Sequence, residues 1–274
     1  MPFCQNGDVR IRYEEIGSGF PLLVTPGSGL NSRVSNWPTA VINAMEEFKH
    51  DFRCITMDQR NANGGDSAGP VPVENAWDAF ADDQLGLMDH LGIGEFFYMG
   101  YCIGGCFASK LLQRAPQRVV AAVFCQTVGH RPEDPDVMVR HSRQNWLADF
   151  RARRPEVSAE TIEKYLHSLW RVQPDFLYSV PREFIGNCRT PILVLPDDTP
   201  SHPLPTSIDV ASLAPNAEIT VFPWREPPEL KARTIDRVRT FLKSHIPMCS
   251  AVQRSSASRR FTRHVPAPIR KAAS

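Results

Sequence analysis

Short apolar runs alternate along this chain with segments whose apolar positions recur every three or four residues. Residues 21–24, 53–57, 95–99, 119–125, 191–195 and 218–222 are nearly continuous apolar runs, the pattern of strands buried on both faces. Residues 9–14 instead alternate apolar and charged side chains behind Asn6-Gly7, which predicts a hairpin at the start of the chain. Trp77, Phe80, Ala81, Leu85, Met88 and Leu91 fall on one helical stripe, and Gly92 follows where a helix commonly ends. Residues 106–114 predict a helix stopped by Pro116, and 229–245 a long amphipathic one.

Strands taking turns with helices imply an α/β fold with a mainly parallel, doubly wound sheet. The stretch 126–189 breaks this rhythm. It predicts helices over 136–150 and 158–170 and is rich in Arg and aromatics. We therefore divide the chain into a core of 1–125 and 190–247, a helical insertion of 126–189 after the sixth strand, and an unstructured basic tail of 248–274.

Composition narrows the class. The chain has 274 residues, 42% hydrophobic and 22% charged, as ordinary globular proteins do. The last 26 residues hold six Lys or Arg and no Asp or Glu. The net charge of +1 therefore leaves the rest of the chain at −5. An acidic body argues against nucleic acid as a partner. No apolar run is long enough to span a bilayer, so no membrane partner is expected. Seven Cys without a CxxC pair argue against a disulfide framework or zinc site. No apolar leader segment opens the chain. A cytoplasmic address, no metal and no cofactor are the resulting expectations.

The chemistry concentrates in Phe96-Phe97-Tyr98-Met99-Gly100-Tyr101-Cys102-Ile103-Gly104-Gly105-Cys106. A predicted strand enters a G-x-C-x-G-G turn and leaves as a helix. Gly100 and Gly104 give the turn room, and a helix N-terminus directs N–H groups at Cys102. That environment favours thiolate over thiol. Cys106, one turn on, reads as packing.

With these residues the chain resembles the α/β-hydrolase superfamily over roughly residues 8–245. Pro26-Gly27-Ser28-Gly29 stands where the family usually has His-Gly, and Asp58-Gln59-Arg60 where many members read D-x-R-G. Cys at the elbow is similar to the dienelactone hydrolase branch. The resemblance implies the α/β-hydrolase fold, Cys102 as nucleophile, and an oxyanion hole from the amides of Ser28 and Ile103. It implies a helical cap at 126–189. It also implies an acid after the strand 191–195, where Asp198 is the first choice and Asp197 the second.

The resemblance fails at the family's histidine. The loop 223–228, Pro-Trp-Arg-Glu-Pro-Pro, contains none, and Arg225 cannot exchange a proton near neutral pH. His202 and His130 lie in other loops at the carboxyl edge of the sheet and are the alternative bases. His50, His90, His141, His167, His245 and His264 read as surface or helix residues.

The expectation is a small-molecule hydrolase of an ester, lactone or related acyl bond. The alternatives are a lyase, isomerase or cyclase on the same scaffold, or a catalytically silent binding member. Trp146, Phe150, Tyr165, Trp170, Phe176 and Tyr178 admit an anionic or aromatic ligand, although packing of the insertion on the core is the more ordinary use of such residues.

Overall fold

The computed structural model describes residues 1–248. The predicted tail therefore lies outside the described residues, apart from Met248. Eight strands form one sheet in the order β1-β2-β4-β3-β5-β6-β7-β8. β1 (Phe3–Asn6) and β2 (Val9–Ile16) form the predicted hairpin, with Asn6 opposite Val9. β2 is antiparallel to β4 (Arg53–Met57). All later pairings are parallel, through β3 (Pro21–Thr25), β5 (Phe96–Tyr101), β6 (Val119–Cys125), β7 (Ile192–Leu195) and β8 (Ala217–Ile219).

Continuous apolar runs are what such a sheet needs, because successive side chains point to opposite faces and both faces are covered. Along β5, Phe97, Met99 and Tyr101 join one core while Phe96 and Tyr98 join the other. The first core lies under α1 (Ala44–Phe48) and α9 (Pro228–Ser244). The second lies under α2 (Ala76–His90) and α3 (Ile103–Arg114).

Between β6 and β7 the chain runs through α4 (Val137–Ser142), α5 (Ala148–Arg153), α6 (Ala159–Trp170) and α7 (Arg182–Asn187). The single helix predicted over 136–150 is divided, because residues Arg143–Leu147 form a π-helical turn. Trp146, Phe150, Tyr165, Trp170, Phe176 and Tyr178 are buried, and Phe184 is half-buried. Trp170 packs edge-on to Trp77 with centroids 5.5 Å apart, and Tyr165 packs against Phe80. Arg143 and Arg154 pair with Glu163 and Glu156. The aromatic contacts hold the segment on the core, the ordinary use, while both ion pairs lie within the segment.

Three further differences have local causes. α3 starts at Ile103, three residues before the predicted start, because Gly104 and Gly105 are part of its first turn. β8 stops at Ile219, leaving Val221 and Phe222 exposed beyond it. α8 (Leu204–Leu213) was hidden in the sequence by its Pro-rich opening.

The strand order positions the site. From β3 the chain moves to β4 on one side and then to β5 on the other. Loops leaving β3 and β5 at their carboxyl ends flank such a reversal, where α/β sheets open a crevice for ligands. Gly29 follows β3, and Cys102 follows β5.

Candidate active site

Cys102 joins β5 to α3 at φ 56° and ψ −113°. A side chain rarely adopts this conformation, which costs on the order of 1–3 kcal/mol. Its neighbours hold it there. The Cys102 amide donates to the Cys125 carbonyl at 2.9 Å, and its carbonyl accepts from the amides of Gly105 and Val128, each at 3.2 Å. Both elbow glycines are required by close approach. A Cβ at Gly100 would lie 2.7 Å from the Gly104 backbone, and one at Gly104 would lie 2.4 Å from Thr25 Oγ1.

The thiol is half-buried, and the backbone amides of Gly29 and Ile103 favour its charged form. Ile103 was expected. From the loop after β3, the amide that favours the charged thiol is that of Gly29, one residue beyond the expected Ser28. Ser28 takes a left-handed conformation, φ 75°, and caps the 3-10 turn Gly29–Asn31, which turns the next amide toward the sulfur.

His202 is the histidine that meets Cys102. Its Nδ1 lies 3.0 Å from Thr199 Oγ1 and 3.3 Å from Asp197 Oδ2. Nε2 is buried and makes no hydrogen bond of ordinary geometry; with Nδ1 taken, it is the nitrogen left to the thiol. Burial alone would push the Cys102 thiol up. The charge and closeness of His202 and the two amides outweigh it, and the thiol lies below its ordinary range. Burial likewise disfavours charge on His202, but the Cys102 sulfur and the Asp197 carboxylate raise it well above the usual histidine value. The pair therefore favours thiolate and imidazolium.

Asp197, rather than Asp198, faces this histidine. Asp198 is the next residue and is exposed. Asp197 is buried, and its carboxylate accepts from Gln126 Nε2 at 2.8 Å and from Arg225 at 2.6 Å. Burial pushes this carboxyl up, but His202, Arg225 and Gln126 bring it below the usual range. Trp224 Nε1 donates to the Pro196 carbonyl at 2.7 Å and props the same loop. Thr199 and His202 exchange backbone hydrogen bonds at 3.1 Å, closing a tight turn that returns the ring toward its own Asp.

His130 is directed elsewhere. Its ring stands edge-on to Tyr178 with centroids 6.3 Å apart, and its amide donates to the Phe176 carbonyl. His141, read from sequence as a surface or helix residue, is on α4 and lies at the site. Its ring edge approaches Gly29, and it senses the charge of His202. Periodicity gave no signal for it. Gln126 and Arg225 were legible only as residues at the carboxyl edge of the sheet.

The other described cysteines are chemically unlike Cys102. Burial pushes Cys54 and Cys106 up to about 12, and raises Cys4, Cys125 and Cys188. Among the described residues no group of three or more His, Cys, Asp or Glu could hold a metal ion, and no helix is long and apolar enough to cross a membrane.

A tight strand-to-helix elbow at the carboxyl end of a central strand in a mainly parallel sheet is the frame of a class of α/β proteins. Residues 21–197 match the family model described as alpha/beta hydrolase fold, and the chain belongs to that family. It is 30% identical over 122 residues to the 2-hydroxymuconate semialdehyde hydrolase of Pseudomonas sp. (strain CF600), covering 44% of this chain and 41% of that protein. The chain spans 41–45% of the length of the curated relatives it matches.

Among solved structures, an acetate-bound variant of the meta-cleavage product hydrolase from Pseudomonas fluorescens IP01 superposes with a TM-score of 0.65. It is 20% identical and covers 89% of this chain and 98% of its own. The enol-lactonase from Burkholderia xenovorans LB400 gives 0.63 at 19% identity, covering 88% and 100%. At these identities the likeness is one of fold.

Proposed function

We propose that the protein is a small-molecule hydrolase that cleaves an ester, lactone or related acyl bond through Cys102. The observation that carries this reading is the chain of contacts from Cys102 to His202 to Asp197. It supplies the nucleophile, the proton carrier and the orienting carboxylate that such chemistry needs. Hydrolases among the matched proteins support the same reaction class.

The steps follow from the protonation states. The Cys102 thiolate attacks the acyl carbon, forming a C–S bond, while the amides of Gly29 and Ile103 stabilise the charge on the carbonyl oxygen. The C–O bond breaks, and the His202 imidazolium gives its proton to the departing alkoxide. Neutral His202 then takes a proton from water as the water attacks the thioester. Collapse releases the acid and the thiolate, and His202 is again charged. Asp197 holds Nδ1–H throughout, so that Nε2 does the exchange. Arg225 and Gln126 keep the carboxylate ionised and in place. The helices between β6 and β7 act in this reading as a cap over the elbow.

A histidine within reach of Cys102, held by a carboxylate, supports the hydrolytic reading over a lyase, isomerase, cyclase or silent binder.

Intact mass spectrometry after brief exposure to p-nitrophenyl acetate tests the reading. One acetyl adduct that is absent from Cys102→Ala is the expected result. Nitrophenol release at the wild-type rate by Cys102→Ala would refute it.

A further inference from the structure

The helix α4 is fixed with one edge of His141 over the amide loop. Val137, Met138 and Ser142 are buried, and Ser142 Oγ donates to the Met138 carbonyl while accepting from Trp170 Nε1 at 3.1 Å. A second tie joins the two loops directly, since Asn31 Nδ2 donates to the Asn145 carbonyl at 2.7 Å and Asn145 Nδ2 donates to the His141 carbonyl at 3.0 Å. A methyl group placed on Gly29 would stand 3.6 Å from His141 Cδ2 and 3.7 Å from Nε2. The Gly29 amide is one of the two that reach the Cys102 sulfur. His141 Nε2 thus flanks the residue whose amide favours the Cys102 thiolate. Among the described residues, no protein hydrogen bond engages its ring nitrogens.

We propose that His141 touches the substrate and selects acyl groups carrying a hydrogen-bonding oxygen close to the scissile carbonyl. The proposal rests on the reading of Cys102 as nucleophile and adds the side of the substrate that this reading leaves unspecified. Burial and the charge of His202 hold His141 below the ordinary histidine value. The ring is accordingly neutral near pH 7, one nitrogen a donor and the other an acceptor. A neutral ring does not compensate a carboxylate, but it pairs with a hydroxyl, ether or carbonyl oxygen. An all-carbon acyl chain at the same place leaves that nitrogen desolvated and unpaired, which disfavours it.

Two esters of the same shape isolate the effect: p-nitrophenyl methoxyacetate and p-nitrophenyl butyrate, which differ by an ether oxygen in place of a methylene. Their ratio of kcat/KM is measured in wild type, His141→Phe and His141→Gln. Intrinsic ester reactivity cancels between enzymes. The ratio is expected to fall by about threefold to tenfold in His141→Phe and to recover in part in His141→Gln. An unchanged ratio in His141→Phe overturns the proposal.

Acetylation of Cys102 in the wild type reports on the nucleophile separately, so the two ideas fail distinguishably. Should neither ester turn over, the ring signals of His141 in labelled protein are titrated with 2-methoxyacetamide and butyramide. A shift with the first only supports the proposal. Equal shifts, or none, refute it.

Discussion

Arg225 places a guanidinium nitrogen 2.6 Å from Oδ1 of Asp197. The loop between the last strand and the last helix, where the family carries its histidine, here sends a permanent cation to the acid. The other carboxylate oxygen accepts from Gln126 and faces His202, which comes from the same loop as Asp197. Asp197 and His202 thus share one tight turn, and Arg225 anchors it from outside.

Removing that anchor has a modest expected cost. Arg225 is 40% exposed at its side chain, so solvent screens much of the pair. Arg225→Met is expected to lower stability by about 1 kcal/mol. Thermal unfolding checks it. A fall of several times that size would mean that Arg225 holds more of the fold than this one loop.

The two neighbouring aspartates are expected to separate cleanly. Asp197→Asn leaves His202 without a carboxylate to hold its tautomer and charge, and is expected to reduce ester turnover by about a hundredfold or more. Asp198→Asn, at an exposed position, is expected to leave turnover within about twofold. Parallel kcat/KM measurements decide. Equal losses would contradict the assignment of Asp197.

His202→Gln removes the proton carrier of the proposed mechanism. Turnover is expected to drop by about a thousandfold, with deacylation the slower step, so that the acetyl adduct on Cys102 persists longer than in the wild type. Rapid-quench mass spectrometry follows it. An adduct lifetime equal to that of the wild type would show that another group activates water.

Gly104→Ala tests the elbow. Its new Cβ would be 2.4 Å from Thr25 Oγ1, and Thr25 is itself held by Tyr98 at 2.9 Å. Overpacking of this kind costs about 2 kcal/mol, which lowers Tm by about 4–8 °C in a domain this size. An unshifted Tm would mean that β3 yields freely.

The sheet was legible because its strands are continuous apolar runs: residues 119–125 read as a strand and form β6 end to end. The elbow was legible because Gly100, Cys102 and Gly104 are close in sequence and each is demanded by local geometry. What escaped depends on distant contacts. Asp197 and Asp198 are adjacent and chemically identical, and only the direction of the turn fixed by Thr199 and Trp224 makes one buried and the other exposed. His141 lies 39 residues beyond Cys102 in the chain and arrives through the packing of α4. Ser28 and Gly29 differ by one residue, and the left-handed turn at Ser28 selects the second.

The pairing of Cys102 with His202 is most directly tested by the pH dependence of alkylation. The rate of Cys102 modification by iodoacetamide, read by peptide mass mapping, reports the thiolate fraction. His202 favours the charged sulfur, so the wild-type inflection is expected below the ordinary thiol value of 9.0. Without His202 the opposing effect of burial remains, and the inflection in His202→Gln is expected to rise. The described buried cysteines, all shifted upward, should stay unmodified near neutral pH. An inflection at the same pH in wild type and His202→Gln would contradict the account.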